Sequence, residues 1–174
     1  METETSRLTE SLEETLRALG RLQASIDRLR PSSNGGSEGV GSFPPAELDR
    51  LSAVVHRSSA TLTRRIQEIS PADEALEAKL AELWRRSSAG VPGDRVVTSL
   101  RGSDPHPRSL LVTYRAACRS LCTALQEVRR ASDATTTLLL SGILQQLEKQ
   151  LWLLDSSRLR ARSGVSTIDL FLSC

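Results

Sequence analysis

The segment Asp133–Leu154, DATTTLLLSGILQQLEKQLWLL, reads as one long helix with an unusually broad apolar side. Asp133 supplies a side-chain acceptor for the free amides at a helix start. Leu140, Ile143, Leu147, Leu151 and Leu154 follow at spacings of three and four, which stacks them on one face. Leu138, Leu139, Leu144 and Trp152 widen that face beyond what a surface helix needs. The sequence therefore predicts a helix at the centre of a bundle, covered on several sides, with Trp152 buried. Glu148 and Lys149 interrupt the run and are predicted at the edge of the stripe or at a seam between subunits, because unpaired buried charge is prohibitive.

The same spacing recurs upstream. Leu8, Leu12, Leu19, Leu22, Ile26 and Leu29 repeat at heptad-like intervals, with Thr15 in the one missing seam position, and predict a helix over 6–30. Pro31 stops it. The following PSSNGGSEGVGS has too few apolar side chains to order itself, so residues 31–43 are predicted to be a flexible loop. Pro44 and Pro45 suit a helix first turn, and Leu48, Leu51, Val55, Leu62, Ile66 and Ile69 carry a second helix over 45–69. Ser70, Pro71 and Asp73 read as cap, first position and first-turn carboxylate of a shorter helix over 71–86, burying Leu76, Leu80, Leu83 and Trp84. SSAGVPGDRVVTSLRGSDPHP is a long connection in which VVTSL suits a brief turn. Leu110, Tyr114, Ala117, Leu121, Leu125 and Val128 then mark a helix over 107–131, and the opening segment gives a last one over 133–155.

Four long amphipathic helices, one short helix in the middle connection and no period-two alternation indicate an all-α bundle. The placement of the short helix favours a bundle with one long crossover over a simple up-down-up-down order. At 174 residues the chain suits one domain with tails: an N-terminal tail 1–5, a helical bundle 6–155 and a C-terminal tail 156–174.

Composition narrows the function classes. An aromatic fraction of 3% leaves little to stack nucleic-acid bases against, and 23 basic against 21 acidic residues give a net charge of +2, too small for a global field that attracts polyanions. Three cysteines, Cys118, Cys122 and Cys174, are an odd number without the density of a secreted disulfide scaffold, which points to a reducing compartment. Cys118 and Cys122 lie four apart on a predicted helix, with no second pair to complete a metal site, and read as packing residues. The polar, acidic start METETSRLTESLEE is not a signal peptide, and no apolar run approaches a membrane span. The expected location is cytoplasmic. No GxSxG elbow and no phosphate-cradling glycine loop is present, so no catalytic or cofactor-binding residue is assigned.

Several of these residues resemble a known family, the DNA-protecting mini-ferritins called Dps proteins. Asp133 and Thr136 match the Asp-x-x-Thr start of that family's last helix, and Glu148, Lys149, Trp152 and Leu154 match its Glu-Lys-x-x-Trp-x-Leu finish. Tyr114 with ACRSLCTALQEV is similar to the preceding helix, and LDRLSAVVHRSSATLTRRIQEI is similar to the second. The likeness covers about 48–155. It implies a ferritin-like four-helix bundle with a short extra helix in the middle connection, a role in iron homeostasis or DNA protection, homo-oligomeric assembly, and iron as the metal handled.

The family's ferroxidase centre uses histidine and carboxylate ligands across a dimer interface. Here Arg64 and Ala60 stand where the carboxylate pair before Arg65-Ile66 belongs, Pro45 stands where a histidine belongs, and the His-Trp-Asn segment that ends the first helix is absent. Asp49 keeps an expected ligand position. His56 lies two helical turns from it and is the remaining metal candidate; His106, in the DPHP loop, is not one. The resemblance thus implies a scaffold with a degenerate ferroxidase site. Arg158, Arg160 and Arg162 alternate in SSRLRARSG and suit a salt-sensitive contact to DNA phosphates, or equally a solvated helix end. Two alternatives stand beside this reading: a helical coiled-coil adaptor whose first-helix heptads pair with a partner, and an active mini-ferritin whose ligands come from other positions.

Overall fold

The computed structural model describes residues 2–30, 43–71, 74–89 and 107–161. All its elements are helices: α1 (Glu2–Leu29), α2 (Pro45–Ile69), α3 (Leu76–Ser88), α4 (Pro107–Arg130) and α5 (Ala134–Ala161). The all-α class follows, and no strand occurs among the described residues. Residues 31–42 of the predicted loop, the turn expected at VVTSL, and His106 lie outside them.

Helix packing fixes the arrangement. α1 packs against α2, α3 and α4, whereas α5 packs against α2 and α4 alone. The long helices therefore form a ring in the order α1, α2, α5, α4, with α1 diagonal to α5 and α2 diagonal to α4. Arg30 at the end of α1 pairs with Asp49 near the start of α2, and Thr9 near the start of α1 meets Ser70 beyond the end of α2, so these two helices are antiparallel. α3 runs parallel to α1, because Lys79 pairs with Glu13 and Gly20 faces Ser87. Arg65, one turn from the end of α2, meets Asp133 at the start of α5, which sets α2 and α5 antiparallel. Because α4 turns directly into α5, α4 and α2 run the same way. The connection between them crosses the bundle, with α3 on its path.

The seam residues read from the sequence build the core. Leu12, Leu19, Leu22 and Ile26 of α1, Leu48, Leu51, Leu62 and Ile66 of α2, Leu110 and Leu121 of α4, and Leu140 and Leu147 of α5 are all fully buried or nearly so. Thr15 fills its seam position and donates to the backbone carbonyl of Ser11, within reach of Ser120 on α4. α2 begins with Pro45 in its first turn, where a missing amide costs nothing.

The structure corrects several expectations. The helix at the centre is α1, not α5. Ala18, Gly20, Ala24 and Ser25 line it with small side chains, so that neighbours approach closely on three sides. At Gly20 an added Cβ would fall 2.7 Å from Cβ of Ser87 and nearer still to its Oγ, so glycine is what lets the last turn of α3 lie against α1. α3 starts at Leu76 rather than at residue 71, because Ser70 is taken as the C-cap of α2: its amide bonds the Ile66 carbonyl, and Ala75, without a capping side chain, opens α3.

Three boundaries also move. α1 begins at Glu2, inside the expected N-terminal tail. α5 continues to Ala161, six residues into the expected C-terminal tail, because DSSRLRA holds neither proline nor glycine. Phe43, placed in the flexible loop by its neighbours, is 4% exposed and anchors the chain just before α2.

Candidate functional site

The metal candidates do not converge. Asp49 is exposed on α2 and its Oδ1 accepts from Arg30 Nη2 at 2.9 Å. His56, also exposed, presents its ring edge-on to Trp84 of α3, with centroids 5.6 Å apart at 62°. Two turns of helix separate the pair by about 10 Å along the axis, too far to share one ion. Among the described residues no three His, Cys, Asp or Glu side chains group as a metal site. Pro45, Ala60 and Arg64 are all exposed on α2, and Arg64 faces Glu68 at 3.8 Å.

What does converge is a polar corner built from residues that carried the resemblance. α4 ends on Ser132 in the left-handed region, φ 57°, the amides of Ser132 and Asp133 bonding back to the carbonyls of Arg129 and Val128. This is the two-bond helix terminus that usually takes glycine. Asp133 then caps α5: its Oδ1 accepts from the Thr136 amide at 3.0 Å and its Oδ2 from the Thr136 hydroxyl. Arg65 reaches in from α2, donating from Nη2 to Asp133 Oδ2 at 2.9 Å and from Nε to Thr136 Oγ1 at 2.7 Å, while its Nη1 holds Glu68 at 2.9 Å.

Electrostatics follow the geometry. The bond to Glu68 does most to hold the Arg65 guanidinium above its ordinary range, and Asp133 adds to it. Burial alone would raise the Asp133 carboxyl, but the Thr136 hydroxyl and amide and the Arg65 guanidinium outweigh it and hold the group below the ordinary carboxylate range. Everything in the corner is satisfied, and it locks three helices together rather than offering a reactive group.

Tyr114 and Cys118 lie one turn apart on α4, Tyr114 buried and Cys118 half-buried. Burial raises both the phenol and the thiol, and Cys118 packs half-buried against the core, as expected of a packing cysteine. A thiol held in its neutral form is a poor nucleophile. Cys122 corrects the packing expectation: it is disulfide-bonded to a cysteine outside the described residues, which weighs against the reducing compartment expected from the odd cysteine count.

The remaining feature is a surface that sequence reasoning misplaced. Trp152, expected in the core, is 60% exposed, and Leu138 is 75% exposed. Leu138, Gly142, Gln145, Lys149 and Trp152 fall on one side of α5, opposite the buried stripe of Leu140, Ile143, Leu147, Leu151 and Leu154. Periodicity showed that α5 is apolar nearly all round but not that only two helices would cover it. Glu148 and Lys149 are both exposed: Glu148 flanks the buried stripe as expected, whereas Lys149 lies opposite it beside Trp152. Arg158 and Arg160 belong to the last turns of α5, but their side chains, and Arg162 altogether, lie outside the described residues. No described helix is long and apolar enough to cross a membrane.

Compared with known protein families, curated proteins and solved structures, the chain matches none.

Proposed function

We propose that this chain is a cytoplasmic ferritin-like scaffold, related to the Dps mini-ferritins, that works by homo-oligomeric assembly and has lost its share of a ferroxidase centre. The observation that carries the reading is connectivity: two antiparallel helix pairs joined by a connection that crosses the whole bundle and bears a short helix on its way. The side chains at the family's ligand positions support the second half. A guanidinium, a methyl group and a pyrrolidine ring at Arg64, Ala60 and Pro45 offer iron no donor, and Asp49 is engaged by Arg30.

The adaptor alternative loses its partner surface, because the α1 seam of Leu12, Leu19, Leu22 and Ile26 is already buried within the chain. DNA, held through Arg158, Arg160 and Arg162, is a secondary partner of the scaffold; a mobility shift that survives removal of residues 156–174 would assign DNA contact elsewhere. The direct test of activity is ferrous iron oxidation by the purified protein. The scaffold reading expects a rate no faster than buffer. Turnover abolished by Asp49→Ala would overturn it and restore the active mini-ferritin.

A further inference from the structure

The bundle is asymmetric across its diagonal. α3 lies on the outer side of α1, while nothing among the described helices lies on the outer side of α5, although α5 is the more uniformly apolar of the two. That uncovered side has an internal symmetry of its own. Leu138 and Trp152 stand about four turns apart, on the order of 21 Å along the axis, with Gln145 midway between them. On the same side Gly142 leaves a notch: an added Cβ there meets no atom within 4 Å. Glycine in a helix interior costs up to about 1 kcal/mol relative to alanine, and among the described residues nothing requires it at this position.

We propose that this face of α5 binds the same face of a second copy, the two helices antiparallel about a two-fold axis through Gln145. The inference rests on the assembly reading above and names its surface. In that register Leu138 of each copy meets Trp152 of the other, once at each end. On one flank Gly142 of each faces Lys149 of the other, and on the opposite flank Ser141 faces Glu148. The small residues thus lie opposite the long charged ones, whose stems cross the notch while their heads reach water. One patch suffices because the arrangement is isologous: equal spacing on either side of Gln145 makes the surface complementary to itself. Leu138 and Trp152 supply the apolar anchors that such an interface needs near its fully covered positions.

The test uses the full chain in sedimentation velocity over a wide concentration range, with Leu138→Lys, Trp152→Glu and Gly142→Gln. The first two alter strongly exposed side chains and the third fills open space with a good helix former, so the fold is retained, as circular dichroism checks. Each variant alone is expected to weaken association by about tenfold or more. Mixing Leu138→Lys with Trp152→Glu chains joins opposite charges at one end and leaves the natural pair at the other, so the mixture associates more tightly than either variant alone.

If the unsubstituted chain assembles but the three variants match it, the α5 pairing is wrong and the scaffold reading stands on another surface. If the variants weaken assembly but mixing gives no gain, the antiparallel register is wrong. A chain that stays monomeric at every concentration overturns both readings and leaves the α5 face to a different protein.

Discussion

Asp133 closes one helix, opens the next and ties both to a third. Its amide bonds the Val128 carbonyl at the end of α4, its carboxylate caps α5 through Thr136, and the same carboxylate receives Arg65 from α2. Asp133→Ala is expected to cost about 1–2 kcal/mol at neutral pH, as for other helix caps. The pH dependence has a definite sign. Because the folded protein holds this carboxyl below its ordinary value, its contribution is fully present above the unfolded pKa of about 3.9 and disappears as pH falls through the lower folded value. Urea unfolding at neutral pH and near pH 2 should show a gap between wild type and variant that closes in acid; a gap that persists there would remove the carboxylate from the account. Part of this corner was legible in the sequence. Asp133 announced itself as a cap, but its pairing with Arg65 spans two helices and left no local signal.

At the scale of the helix, two glycines have opposite meanings. Gly20→Ala should destabilise the protein, because the new Cβ lies 2.7 Å from Cβ of Ser87 and 3.3 Å from its backbone carbonyl carbon, so α3 must move away. Gly142→Ala should stabilise the fold of each chain by about 0.5–1 kcal/mol, because its Cβ enters open space and the helix gains propensity. Thermal melting of both variants at a concentration too low for assembly checks the pair, and equal shifts of one sign would contradict it.

A second contrast lies within α5. Leu147→Ala, fully buried, should cost about 2–5 kcal/mol through a cavity between helices, whereas Leu138→Ala should be nearly neutral to the single chain. Denaturant midpoints decide it; comparable losses at both sites would mean that the outer face is covered within the chain. The spacing of Leu140, Ile143, Leu147, Leu151 and Leu154 gave the inner face correctly. It did not give the fate of Leu138 and Trp152, because periodicity ranks the sides of a helix by apolarity and says nothing of how many neighbours arrive. The centrality of α1 is written instead in its small residues, Ala18, Gly20, Ala24 and Ser25, which carry no signal in a pattern of large apolar side chains.

Across the whole molecule, the ring order α1, α2, α5, α4 and the crossover between α2 and α4 are what join this chain to the ferritin-like reading. Element order and the position of the short helix were legible from proline, serine and aspartate punctuation, which is why the crossover was expected before the packing was known. The outer face of α5 required the packing itself, since its exposure depends on where α3 docks. Leu138 and Trp152 stay exposed while the α1 seam is buried, and the proposed scaffold assigns their cover to further copies. Sedimentation equilibrium of the full chain from low micromolar to near-millimolar concentration tests this most directly. The account predicts a particle whose mass is a multiple of the 19.0 kDa chain and grows with concentration toward a fixed limit, whereas a single species at 19.0 kDa throughout would contradict it.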